Sequence, residues 1–102
     1  MKLAYQNPIP VAAHRGNAAY FPENTMASFR SAAELKPDMI ETDVHMTRDG
    51  ELILMHDHTV DRTTNGTCLI REKTLAEMRA LDAGSWKDET FRGEKVPTFR
   101  EF

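Results

Sequence analysis

The chain is poor in several residues that would point to a particular class of protein. It has a single cysteine, Cys68, which excludes an internal disulfide and any zinc site built on several cysteines. Between Thr67 and Leu69 that cysteine reads as a small apolar side chain. No run of Lys or Arg forms a basic patch, and the net charge is -3. Wholesale nucleic-acid binding is therefore not expected, and an anionic substrate would have to be drawn by local arginines or a metal. No stretch approaches the ~20 apolar residues of a membrane span. Met1 to Pro10 lacks an apolar core ahead of a small-residue cleavage site. With Met1 as the natural start, the expectation is a cytoplasmic protein without a signal peptide. There is no internal repeat and no low-complexity segment. The 102 residues, 40% hydrophobic and 28% charged, suit one small domain or part of a larger one.

Within this ordinary composition, apolar runs alternate with polar clusters. Residues 1–8 read as an irregular lead-in, and Ile9 to Ala13 as a short buried strand ending at His14-Arg15-Gly16. Glu23 to Leu35 reads as a helix with Met26, Phe29, Ala33 and Leu35 on its apolar face. Asn24 or Pro22 marks its start and Lys36-Pro37 its end. Asp38 to Thr47 reads as a strand, Asp49-Gly50 as a turn, and Leu52 to Met55 as a further apolar run before His56-Asp57. Asn65-Gly66 is another turn. Leu75 to Leu81 is a short helix with Thr74 and Glu77 in a capping-box pattern. Residues 82–97 are mostly loop, and Pro97 to Phe102 reads as the start of a helix. Met26, Met39, Met46, Met55 and Met78 are expected to fill core space. Trp86 either covers apolar surface or lines a groove, and Gly16 and Gly50 serve turns. Strand and helix alternation of this kind is an α/β beginning.

Three polar clusters fall at or within the strands: His14-Arg15, Glu41-Thr42-Asp43 and His56-Asp57. In α/β folds ligands bind beyond the carboxyl ends of strands. On one continuous strand Glu41 and Asp43 point to the same face. Two carboxylates there repel each other unless a hard divalent cation lies between them, and Mg²⁺ or Ca²⁺ suits oxygen donors. The bland alternative is a solvated strand face. His14 and His56 are the proton-transfer candidates, since histidine titrates near neutral pH. Arg15 offers a planar fork for a phosphate or carboxylate. His45 and His58 read as surface or supporting residues. A two-residue Asp49-Gly50 hairpin loop would set Asp43 opposite His56, with Cβ atoms about 5 Å apart. The rival is a pair of parallel strands with an unusually short return.

These motifs resemble those of the glycerophosphodiester phosphodiesterases. The likeness runs from His14-Arg15-Gly16 and Pro22-Glu23-Asn24-Thr25 through Ile40-Glu41-Thr42-Asp43-Val44 and Thr47-Arg48-Asp49-Gly50. It continues through His56-Asp57 and Asp61-Arg62-Thr63-Thr64-Asn65-Gly66 to Leu81-Asp82-Ala83-Gly84-Ser85-Trp86, Gly93-Glu94 and Val96-Pro97-Thr98. The resemblance implies the N-terminal part of a (β/α)8 TIM-type barrel, about residues 9–56, with residues 57–97 resembling the family's small insertion. It implies metal-dependent hydrolysis of a glycerophosphodiester to glycerol 3-phosphate and an alcohol. His14 and His56 would be the general acid and base, Glu41 and Asp43 the ligands of a divalent cation (Mg²⁺ or Ca²⁺), and Arg15 the phosphate contact. Attack would come from a water, or from the substrate's 2-hydroxyl through a cyclic phosphate, as the related phosphoinositide phospholipases suggest. Relatives carry a further acidic ligand and a lysine in a Glu-Ile-Lys-like strand, and often a glycine where Cys68 stands.

An eight-stranded barrel takes roughly 250 residues, so 102 are expected to be a fragment with little activity alone, open to self-association through bare strand edges. Two other readings stay open. One is a non-catalytic binding or assembly piece. The other is a metal-independent phospholipase-type enzyme, which the Glu41/Asp43 pair argues against. The expected partner is a small-molecule glycerophosphodiester, with no nucleic acid and no membrane span.

Overall fold

Strand β1 (Ala12–His14), helix α1 (Met26–Glu34) and strand β2 (Met39–Glu41) make a parallel βαβ unit. Strands β3 (Val44–Met46) and β4 (Leu52–Leu54) make an antiparallel hairpin, and helix α2 (Leu75–Arg79) follows. The computed structural model describes residues 9–102; the lead-in expected over residues 1–8 lies outside them.

β1 begins later than its apolar run. Pro10 has no N–H to give to a ladder, and Asp38 substitutes locally, its carboxylate accepting from the Val11 N–H at 2.6 Å. Ile9 (78% exposed) and Val11 are therefore at the surface, against the expectation of burial. α1 also starts later than expected. Thr25, not Asn24, is the N-cap and accepts from the Ser28 N–H at 3.3 Å. An N-cap needs extended backbone, and Asn24 has φ +55°. The buried face is Ser28, Phe29 and Ala32, narrower than the predicted stripe; Ala33 and Leu35 are exposed. Lys36 takes φ +51° just past the helix, and Pro37 ends it.

The strand predicted over residues 38–47 is two strands. It breaks at Thr42-Asp43, where the buried Asn24 side chain holds both residues. Thr42 Oγ1 donates to Asn24 Oδ1 at 2.9 Å, and Asn24 Nδ2 donates to Asp43 Oδ2 at 3.1 Å. The antiparallel hairpin is present, but its register is Val44↔Leu54, His45↔Ile53 and Met46↔Leu52. Asp43 consequently faces Met55, whose N–H donates to the Asp43 carbonyl at 3.0 Å, and not His56. The loop has one residue more than a two-residue turn. Thr47 N–H donates to the Glu51 carbonyl at 2.8 Å, and Gly50 takes φ +84°, the geometry of a three-residue hairpin loop with a left-handed glycine.

Ile53, Met55, Val60, Ile70, Met78, Ala83 and Val96 form the main core, with Leu75 and Leu81 packed against it. Met55 and Met78 fill it as expected, whereas Met39 and Met46 (58%) are exposed on the strand pairs. α2 carries the predicted capping box of Thr74 and Glu77. Trp86 is partly exposed, and its Nε1 donates to the Ala83 carbonyl at 3.0 Å. The helix expected from Pro97 is a single turn, closed by Thr98 and Glu101.

Cys68 does not have the small apolar role expected of it. It is exposed, with φ +85°, a conformation costly for any side chain with a Cβ. Cys68→Gly should raise stability by about 0.5–1 kcal/mol, the relieved strain exceeding the entropy glycine adds to the unfolded chain. Urea denaturation checks this, and an unchanged or lower midpoint would count against it.

Candidate active site

β1 and β2 run parallel with His14 beside Glu41, so both side chains lie at the carboxyl ends of their strands. His14 Nε2 is 3.6 Å from Glu41 Oε2. The chain then turns at Arg15, whose backbone N–H is shared between the Glu41 carbonyl (3.0 Å) and Glu41 Oε2 (3.2 Å).

Arg15 and Asn24 both hold left-handed backbone, φ +59° and +55°. Such strain in non-glycine residues concentrates at functional sites. The two are bonded together: Asn24 N–H and Ser28 Oγ donate to the Arg15 carbonyl at 3.0 and 2.9 Å. Gly16 must be glycine, since a Cβ there would lie 2.1 Å from Ser28 Oγ. The Arg15 side chain is thereby laid inward. Its Nη1 donates to Glu23 Oε2 at 3.1 Å. Its Nε is buried without a hydrogen-bond partner, 3.6 Å from Asp43 Oδ2.

His56 follows β4, and its Nδ1 is 2.9 Å from Asp57 Oδ1. An ionised carboxylate only accepts, so Nδ1 carries the proton and Nε2 is left to exchange one. Arg62 holds Asp57 in turn, with Nε to Oδ2 at 2.9 Å and Nη2 to Oδ1 at 3.0 Å. It also reaches Glu23, with Nη1 to Oε1 and Nη2 to Oε2, both at 2.9 Å. Arg62 first, and His56 second, hold the Asp57 carboxyl well below the usual carboxylate range. Burial pushes the Glu23 carboxyl up, but Arg62 and Arg15 together outweigh it and the net direction is down.

The predicted residues thus form one polar network. His14, Arg15, Glu41 and Asp43 are in contact, and His56 joins them through Asp57, Arg62, Glu23 and Arg15. Glu41 and Asp43 do not sit on one unbroken strand as expected; Arg15 contacts both. Asp57 is marked in the sequence only as the neighbour of His56 in a polar cluster, with no role of its own, and Glu23, Asn24 and Arg62 are not singled out there as site residues. The only signal for them was their place in the motifs beside His56 and after Pro22. His45 and His58 meet edge-on with ring centroids 5.0 Å apart, and His45 Nε2 is 2.9 Å from the His56 carbonyl oxygen. Among the described residues no group of three or more His, Cys, Asp or Glu side chains could hold a metal ion. Glu41 and Asp43 provide two hard oxygen donors. That donor set fits an ion such as Mg²⁺, which commonly takes one or two carboxylates and completes its shell with water and phosphate oxygens.

The sequence model of the glycerophosphoryl diester phosphodiesterase family matches residues 14–102. A glycerophosphodiester phosphodiesterase of Caldanaerobacter subterraneus is 52% identical over 91 residues, which are 89% of this chain and 37% of that protein. One of Bacillus subtilis is 46% identical over 101 residues, 91% of this chain and 34% of that protein. The solved structure of an Oleispira antarctica phosphodiesterase in complex with the product sn-glycerol-3-phosphate superposes with a TM-score of 0.87 at 42% identity. That superposition covers 94% of this chain and 39% of the other. The chain therefore spans little more than a third of the length of these relatives. The expected α/β fold, the N-terminal part of a (β/α)8 barrel, is borne out by this likeness and by the parallel βαβ unit. The chain belongs to the glycerophosphoryl diester phosphodiesterase family.

Proposed function

We propose that this chain supplies the acid–base pair, the phosphate contact and part of the metal shell of an enzyme that hydrolyses glycerophosphodiesters to glycerol 3-phosphate and an alcohol. The carrying observation is the convergence of His14, Arg15, Glu41 and Asp43, with His56 tied to them through its hydrogen bond to Asp57 and the ion pairs that run on through Arg62 and Glu23 to Arg15. Arg15 orients the phosphate. One histidine takes the nucleophile's proton and the other protonates the departing alkoxide. The Asp57 bond fixes the His56 ring so that Nε2 performs its transfer. Glu41 and Asp43 would hold a divalent cation, Mg²⁺ or Ca²⁺, whose positive charge would offset that of the phosphate. Residues 57–97 are the family insertion on this reading, supported by a core drawn largely from them. No helix among the described residues is long and apolar enough to cross a membrane.

The test uses a chimera in which this chain replaces the matching segment of a full-length relative. It should release glycerol 3-phosphate from glycerophosphodiesters, lose activity to a chelator and recover it with Mg²⁺ or Ca²⁺. Activity that survives chelation would overturn the metal assignment, and an inactive but folded chimera the reaction. The second reading, a non-catalytic assembly piece, is favoured by the exposed Ile9, Val11, Leu35 and Met39. Light scattering of the 102-residue chain addresses it, since self-association through these residues would give a defined multimer.

A further inference from the structure

Glu23 lies where two arginines meet. Its side chain is only 11% exposed. Oε2 accepts from Arg15 Nη1 at 3.1 Å and from Arg62 Nη2 at 2.9 Å, while Oε1 accepts from Arg62 Nη1 at 2.9 Å. The two arginines serve different ends of the site. Arg15 faces Asp43 and the proposed phosphate position. Arg62 turns its other edge to Asp57, and Asp57 fixes the His56 ring. An exposed ion pair of this kind would contribute little by itself. Here, however, the central carboxylate is largely buried, and Arg62 grips it with both Nη atoms in fork geometry, which fixes direction as well as distance, while Arg15 adds a single bond from Nη1.

We propose that Glu23 is a positioning residue that couples the phosphate side of the site to its proton-transfer side. Arg62 and Asp57 carry its influence to His56. This rests on the function proposed above for Arg15 and His56, but the coupling itself is a property of this chain. Movement of Glu23 shifts Arg15 directly. It also frees Arg62 to release Asp57, so the His56 ring loses its fixed proton position. The Glu23 carboxylate is thus shared by the group that would hold the substrate and the group that would move the proton.

Two variants separate this from simple structural support. Glu23→Gln keeps the shape and removes the charge. Arg62→Lys, at a side chain 46% exposed, removes the fork while sparing the Glu23–Arg15 pair. In the 102-residue chain, ¹⁵N NMR of the imidazole rings should show His56 protonated at Nδ1. Each variant should shift its tautomer ratio by about fivefold, the equivalent of one net hydrogen bond. His14, whose contact is with Glu41, should keep its ratio and serve as the internal control.

In the active chimera, Glu23→Gln should lower kcat by about 10²-fold and also raise KM, because Arg15 is loosened. Arg62→Lys should lower kcat with KM little changed, and Glu23→Asp should partly restore Glu23→Gln. An unchanged His56 tautomer ratio in both variants would overturn the coupling whatever the chimera does. So would a kcat unchanged in both. An inactive native chimera would overturn the proposed reaction and leave the NMR measurement to decide the coupling.

Discussion

Exchanging His56 for glutamine in the full-length chimera should lower kcat by about 10²- to 10⁴-fold, and His14→Gln should do the same, the range typical of a lost general acid or base. The structure gives the two histidines different surroundings. His56 is held through Nδ1 by Asp57, and His14 approaches Glu41 through Nε2. Glutamine keeps hydrogen-bonding capacity and cannot titrate, so the loss reports proton transfer more than packing; His14 and His56 are both exposed and outside the core. Substrates with different alcohols then assign the roles. A phosphodiester with an acidic leaving alcohol needs no protonation as it departs. It should rescue the variant that lacks the general acid and leave the other slow. Full turnover of a natural-type substrate by either variant would remove that histidine from the mechanism.

Gly84→Ala should destabilise the fold by about 3 kcal/mol, at the upper end of overpacking costs. An added Cβ would lie 1.9 Å from the Phe91 carbonyl oxygen and 2.8 Å from the Phe91 Cβ. Nothing there is the free end of a flexible side chain. The surrounding turn is fixed as well: Gly84 N–H donates to Asp82 Oδ1 at 2.9 Å, and Lys87 N–H donates to the Gly84 carbonyl at 3.0 Å. Hydrogen bonds from Ser85 and from the Gly84 N–H hold the Asp82 carboxyl down at about 2. Relaxation would therefore have to move Ala83, a core residue whose N–H is tied to the Glu94 carbonyl at 2.8 Å. Gly50→Ala is the comparison. No atom lies within 4 Å of its added Cβ, so its cost is only the left-handed backbone, about 1–2 kcal/mol. Urea midpoints should fall in the order native, Gly50→Ala, Gly84→Ala. A Gly84→Ala midpoint at or above that of Gly50→Ala would show that the Phe91 segment yields.

Local rules were legible in the sequence where the interacting residues are neighbours. Thr74 and Glu77 are three apart, and their capping box is present. Asp49-Gly50 marks an antiparallel hairpin, and the hairpin is there. Its register was not legible, because Thr47 closes the loop one position earlier than a two-residue turn requires, and that moves Asp43 from His56 to Met55. The helix start was misplaced because Asn24, a good cap by residue type, is drawn into left-handed backbone by the Arg15 carbonyl and the Thr42-Asp43 segment. The site's residues were legible as single positions at strand ends. Their wiring was not. Glu23 and Arg62 are 39 residues apart, and neither has a periodic or spacing signal that pairs it with the other.

The interruption at Thr42-Asp43 has a consequence for how this chain tolerates insertion and deletion. Side chains alternate along a strand, so what matters between β2 and β3 is parity. Two residues outside both strands, Thr42 and Asp43, separate Glu41 from Val44. Losing or gaining one would change that even number to an odd one. Either the hairpin would rotate by half a pleat relative to the βαβ unit, or Asn24 would lose one of its two hydrogen-bonding partners on the link. Adding two residues would preserve the alternation and lengthen only the reach. The two-residue link is thus a phase setting between the sheet that carries Glu41 and the sheet that leads to His56, and length changes there are constrained to steps of two.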